Sequence, residues 1–220
     1  MAAGNQSPTV SPKRPAFSKP PFNRDDLNPP NLITLSRLGL AVVLFVLIYL
    51  NGYWITAAAL FVVAAATDAI DGYIARKYGM VTTLGRILDP FADKIIICGA
   101  FVFLLDKKVP SAEGVLASGV NAWMVIIVIG REMFITSLRG FLEQHGRDFS
   151  ASFSGKIKMI TQCMAVTASL LSLSPLVSGP VFNILRDVLL WGTVVVTVYS
   201  GVDYVVRATI ILRKEPLPAE

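Results

Sequence analysis

The stretch TDAIDGYIARKYGMVTTLGRILDPFADK, residues Thr67 to Lys94, decides how this chain must be read, because it sets four aspartates and two arginines between two runs of almost purely apolar sequence. Carboxylates are costly to hold beside hydrocarbon unless something compensates them. The rest of the chain says that hydrocarbon is the solvent. Of 220 residues, 54% are hydrophobic and 16% charged, and the mean hydropathy is +0.60, whereas a water-soluble domain averages about 25% charged residues. The composition excludes a soluble globular domain and points to a membrane protein.

Outward from the stretch, six segments approach the roughly 20 apolar residues that a spanning helix needs. They cover residues 32–50, 53–75, 88–106, 116–141, 156–174 and 181–206. The expected fold is an all-α integral-membrane bundle of six transmembrane helices over residues 31–210. A disordered, basic, Pro-rich cytosolic tail precedes it at 1–30, and a short C-terminal tail follows at 211–220. No cleaved signal, internal repeat or second soluble domain is expected. Short links such as Asn51–Tyr53 predict antiparallel neighbours.

Cations fix the expected orientation. With the N-terminus in the cytosol, Lys and Arg crowd into both tails and into the links around 76–87 and 142–155, leaving Lys107, Lys108 and Arg186 on the other side. The chain is therefore expected in the inner, cytoplasmic membrane, multi-pass, with both termini cytosolic. The pI near 9.3 then reflects attraction to membrane lipids with anionic headgroups, not to nucleic acid.

On this frame the aspartates fall at the cytosolic ends of two consecutive helices. Asp68 and Asp71 are three apart, about 60° around a helix and ~4.5 Å along it; Asp89 and Asp93 are four apart, about 40° and ~6 Å. Each pair shares one helix face, so the two pairs can converge on one pocket at the membrane edge. Carboxylate oxygens suit a hard divalent cation such as Mg²⁺ or Mn²⁺, and no cysteine or histidine accompanies them as zinc would require. Gly72, Ala75 and Gly85 leave room for a bulky flat ligand, while Arg76 and Arg86 suit phosphate oxygens. The combination reads as a nucleotide pyrophosphate site. Taken singly, Gly72 would mark close helix packing, an edge arginine would snorkel to headgroups, and Asp68 would be a helix-end charge. Their coincidence, in a chain with fifteen acids, favours a site.

Asp68, Asp71–Gly72, Ala75–Arg76, Gly85, Asp89 and Asp93 fit D-x-x-D-G-x-x-A-R-x(8)-G-x-x-x-D-x-x-x-D without a departure. The chain thereby resembles the CDP-alcohol phosphotransferases, whose six-helix architecture agrees with the segments found over residues 30–210. The resemblance implies two bound divalent ions, Mg²⁺ or Mn²⁺, and a CDP-linked lipid held by its pyrophosphate. An acceptor hydroxyl attacks the lipid-side phosphorus and CMP leaves. Carried over, Asp68, Asp71 and Asp89 are metal ligands, and Asp93 is the general base and a ligand. Gly72, Ala75 and Gly85 make room for the cytidine, beside Arg76. A homodimer is implied in the same way.

The second substrate is addressed by GREMFITSLRGFLEQHG (130–146) and SGKIKMITQ (154–162). Arg131 and Arg139 lie eight apart on the fourth helix, about 80° around it, and Lys156 and Lys158 open the fifth. An arginine inside an apolar run is expensive unless paired or functional. Arg131 could pair with Glu132 or an aspartate; alternatively Arg131, Arg139 and Lys156 cradle a phosphate on the acceptor. The R-E-x(6)-R and G-K-x-K-x-x-x-Q patterns, NLITLSRL (31–38) and YSGVDYV (199–205) resemble the family members that join CDP-diacylglycerol to glycerol 3-phosphate, with Met159 departing from the threonine expected there. Inositol phosphate, inositol, serine and phosphatidylglycerol are the alternative acceptors, and a metal or proton transporter is the alternative outside the family. Thr34 and Arg37, one turn apart on the first helix, are placed to line the nucleotide pocket; for Arg37 a snorkelling or paired charge stands equally. Cys98 and Cys163 lie in apolar runs and read as small hydrophobes. His145 reads as a solvated loop histidine, and Trp54, Trp123 and Trp191 as interface or packing residues.

Overall fold

A computed structural model of the chain describes residues 29–78, 83–112, 114–145 and 153–214, excluding the side chains of 29–31, 33, 68–78, 83–90, 93, 153 and 214. These residues form six helices and one hairpin: α1 (Pro29–Leu50), α2 (Trp54–Tyr78), α3 (Thr83–Leu104), β1 (Lys108–Ser111), β2 (Gly114–Ala117), α4 (Ala122–Gln144), α5 (Phe153–Leu171) and α6 (Pro180–Lys214). Proline opens α1 and α6, where its missing N–H is one that the first helical turn leaves unpaired in any case. Asn51 and Gly52 take φ of 57° and 98° between α1 and α2, the left-handed conformation that asparagine and glycine tolerate best. At α4 the Asn121 side chain accepts a hydrogen bond from the Met124 N–H at 3.1 Å, a standard N-cap.

The helices pack α1 on α2 and α3, α2 on α5, and α4 and α5 on α6, with α3 touching α4 only lightly. Leu44, Ile48, Phe61, Phe101, Leu104, Met124 and Leu170 fill the centre. Small residues set the close approaches. Ala57, Ala58 and Ala64 of α2 are buried, and a Cβ on Gly99 of α3 would lie 2.2 Å from Cζ of Phe45, which stacks on Phe103 with ring centroids 4.8 Å apart. The outside is apolar too: Val42, Val43, Val46, Ile126, Val195, Val198 and Val202 are exposed. Helices apolar on both faces suit burial in lipid.

The expected start of the fourth segment at residue 116 is corrected. Residues 108–117 form an antiparallel hairpin with Lys108 opposite Ala117 and Ser111 opposite Gly114, and α4 begins at Ala122. Gly119, with φ of 77°, keeps the helix from starting earlier; a Cβ there would lie 2.6 Å from Nε of Arg186. Helix α6 runs past the expected bundle boundary to Lys214, because a helix leaving the membrane needs no further apolar residues to continue. Among the described residues only Pro180–Arg213 is long and apolar enough by itself to cross a membrane; the apolar stretches Thr34–Leu50, Trp54–Thr67 and Lys94–Leu104 are shorter. Charges at the ends of α2 and α3 and within α4 and α5 interrupt their apolar runs, so length and composition single out this one helix among the described residues.

Candidate active site

Helix α2 is unbroken through residues 68 and 71, and α3 through 89 and 93, so the i, i+3 and i, i+4 spacings of the aspartates are spacings along real helices. The side chains of Asp68, Asp71, Gly72, Ala75, Arg76, Gly85, Asp89 and Asp93 lie outside the described residues. Thr34 and Arg37 of α1 are both buried, each about 1% exposed, on the helix that packs against α2 and α3.

The next residue after Asp93, midway along α3, links that helix to a polar cluster on α4, α5 and α6. Lys94 Nζ donates to Oγ1 of Thr136, and Thr136 Oγ1 donates to the backbone carbonyl of Glu132 at 2.6 Å. The buried Glu132 carboxylate takes two cations on one oxygen: Lys158 Nζ at 2.5 Å and Arg131 Nη1 at 3.4 Å. The Arg131 guanidinium lies over the Tyr204 ring, 5.3 Å from its centroid, within cation–π range. Arg139 Nη2 reaches the Tyr204 hydroxyl at 3.4 Å. The Arg131 stem lies against α6 where Gly201 has no side chain; a Cβ there would sit 3.4 Å from Arg131 Cγ. Around the rim, Asp203 accepts from Ser154 Oγ at 2.7 Å and pairs with Arg207 at 2.9 Å.

Among the described residues, Glu132 takes Arg131 and Lys158, while Arg139 reaches the Tyr204 hydroxyl. The protein does not satisfy all their donors. Nε and Nη2 of Arg131 and Nε of Arg139 are buried without a hydrogen-bond partner. A buried unpaired polar group costs about 1–3 kcal/mol, and more when charged. An anion supplying acceptor oxygens would remove that cost, and the guanidinium fork is shaped for phosphate.

The structure brings Arg131 and Arg139 together at Tyr204, with the Glu132 ion pair present as well. Lys156 is exposed on the first turns of α5, while Lys158 turns inward. Lys158, Tyr204 and Thr136 were given no role from sequence. A signal existed for two of them: Lys158, Gln162, Ala165 and Ser169 recur at helical spacing as the buried face of α5, as do Thr193, Thr197, Ser200 and Tyr204 on α6. Thr136 carried none, since its partner lies on another helix. His145 caps α4, exposed, with Nδ1 at 2.8 Å from the Phe141 carbonyl oxygen, and among the described residues no group of histidine, cysteine or acids could hold a metal. Cys98 and Cys163 form no disulfide. Trp54 is buried, whereas Trp123 and Trp191 are exposed.

A helical bundle whose outer face is apolar and whose polar groups gather between its helices defines a class, the lipid-embedded helical proteins. The chain belongs to the CDP-alcohol phosphatidyltransferase family, whose model matches residues 27–199. That family is membrane-associated and generally depends on divalent metal ions. The chain is 36% identical over 193 residues to the CDP-diacylglycerol–glycerol-3-phosphate 3-phosphatidyltransferase of Bacillus subtilis (strain 168), covering 80% of this chain and 93% of that one. It is 33% identical over 184 residues to the enzyme of the same name from Rickettsia felis, covering 82% and 95%. It is also 33% identical over 183 residues to a probable phosphatidylglycerophosphate synthase of Mycobacterium tuberculosis (strain H37Rv), covering 81% and 80%.

Proposed function

We propose that this protein transfers a phosphatidyl group from CDP-diacylglycerol to sn-glycerol 3-phosphate, giving phosphatidylglycerophosphate and CMP. Family membership and the names of its relatives support the chemistry. The observation that carries the acceptor is the pair of arginines on Tyr204, three of whose buried nitrogens have no partner among the described residues. A phosphate monoester offers those donors more anionic oxygens than the single carboxylate of serine, and inositol offers only neutral hydroxyls.

In this reading Asp68, Asp71, Asp89 and Asp93 hold two divalent ions, Mg²⁺ or Mn²⁺. The donor set fits them, being hard carboxylate oxygens at helical spacing on two consecutive helices. Bound there, the ions neutralise the pyrophosphate and the departing CMP. Thr34, Gly72, Ala75, Arg76 and Gly85 line the nucleotide pocket. Arg131 and Arg139, with Lys156 at the mouth, bind the acceptor phosphate and so orient its free hydroxyl. Asp93 takes the hydroxyl proton as the acceptor oxygen bonds to the lipid-side phosphorus, and the bond from that phosphorus to CMP breaks. Six crossings of the cytoplasmic membrane, both termini and the site on the cytosolic side, a disordered tail over 1–30 and a homodimer complete the proposal. The orientation is supported by the bias of Lys and Arg.

The test is CMP release by detergent-purified protein from CDP-diacylglycerol with Mg²⁺, offered glycerol 3-phosphate, inositol phosphate, inositol, serine or phosphatidylglycerol in parallel. Release with glycerol 3-phosphate alone is expected. Release only with another acceptor would overturn the reading of the cations, and release with none would overturn the enzyme.

A further inference from the structure

We infer that Thr136 is a positioning residue, which holds the base-bearing middle of α3 in register with the acceptor-binding cations of α4. The inference rests on the site proposed above, where the two substrates are held by different helices: the CDP-lipid by α2 and α3, the acceptor phosphate by α4. Transfer requires the acceptor hydroxyl to stand between Asp93 and the lipid phosphorus. A displacement of about 1 Å in such an arrangement can cost ~10²-fold in rate.

Apolar packing does little to fix this relation, because α3 touches α4 only lightly and α4 rests mainly on α6. The polar tie is better suited. Lys94 adjoins Asp93 in the chain, and its ammonium donates to Thr136 Oγ1. The same oxygen donates its own proton to the Glu132 carbonyl, and Glu132 in turn holds Arg131 and Lys158. One hydroxyl thus accepts from the helix of the base and donates to the backbone of the helix that carries the arginines. Only serine can replace threonine in both roles. Valine keeps the shape and does neither.

The test compares Thr136→Val and Thr136→Ser in purified full-length protein. Steady-state CMP release is followed with each substrate varied, and thermal unfolding is read in the same detergent. For Thr136→Val, kcat should fall about tenfold, the value of one hydrogen bond to a charged group, with both KM values within about twofold of wild type. Thr136→Ser should restore kcat. In a Lys94→Met background Thr136→Val should add no further loss in kcat and no further shift in Tm, since the tie is already cut. Wild-type kcat in Thr136→Val would overturn the inference. So would a serine variant as impaired as the valine one, or a loss of kcat that tracks a fall in Tm. If the wild type releases CMP only with another acceptor, the acceptor reading fails, and the kcat comparison, made with that acceptor, still decides the role of Thr136. A wild type silent with every acceptor overturns both.

Discussion

Two regions of the molecule set arginines where α6 meets its neighbours, and they treat them in opposite ways. At the hairpin end, Arg186 donates from Nη1 to the Ala117 carbonyl at 2.6 Å and to Asn183 Oδ1 at 3.3 Å. Its Nε and Nη2 both meet Asp187 Oδ1 at 2.9 Å. Every nitrogen has a partner, and the residue ties β2 to α6. Serines finish the job: Ser169 and Ser172 donate to the carbonyls of Ser118 and Ala117, and Ser118 donates to that of Leu104. At the charged end, Arg131 and Arg139 are only partly buried, and the described residues leave three of their buried nitrogens, Nε and Nη2 of Arg131 and Nε of Arg139, unpaired. The first arrangement is complete without a ligand and stabilises the fold. The second is incomplete, and unpaired buried nitrogens on a cation are what a site for an anion looks like before the anion binds.

The contrast makes different demands on stability and activity. The largest effect expected on stability is at the satisfied arginine. Arg186→Met should cost about 1 kcal/mol, because it takes one of two donors from the Ala117 carbonyl, which keeps Ser172, and unpairs the half-exposed Asp187. It should lower Tm in detergent and leave kcat/KM of the surviving enzyme unchanged. A changed KM for glycerol 3-phosphate in that variant would blur the two regions into one. The smallest effect is at the tyrosine that both catalytic-end arginines share. Tyr204→Phe keeps the ring under Arg131 and removes the hydroxyl that Arg139 reaches at 3.4 Å. KM for glycerol 3-phosphate should rise by no more than about fivefold, the value of one long, weak hydrogen bond. A larger rise would give the hydroxyl a direct part in binding the acceptor.

Much of this was legible in the sequence, for reasons that can be named. Helical spacing of Asp68, Asp71, Asp89 and Asp93 and the apolar runs around them announce the bundle, since a helix fixes which residues share a face without help from the rest of the fold. The hairpin was not legible. Val115, Leu116 and Ala117 are apolar enough to be counted into the next helix, and only the φ of Gly119 and the cap of Asn121, both settled by contact with α6 and α4, say otherwise. Arg131 and Arg139 were visible as charges in an apolar run, but not how far the protein satisfies them. That depends on Tyr204 and Lys158, more than sixty residues and more than twenty residues away along the chain, and on Thr136 reaching Lys94 across a helix boundary. Pattern reads one helix at a time; the pairing of polar groups between helices is tertiary.

The central claim is that the unpaired guanidinium nitrogens await the acceptor's phosphate. Arg131→Ala and Arg139→Ala test it most directly, by CMP release against increasing glycerol 3-phosphate at saturating CDP-diacylglycerol. Each should raise the acceptor KM by about ten- to a hundredfold, the value of hydrogen bonds to a charged group. The CDP-diacylglycerol KM should not change, and Tm should be equal to or above that of wild type, because the unsatisfied buried donors are gone. A fall in Tm with an unchanged acceptor KM would make these arginines struts like Arg186, and would contradict the account.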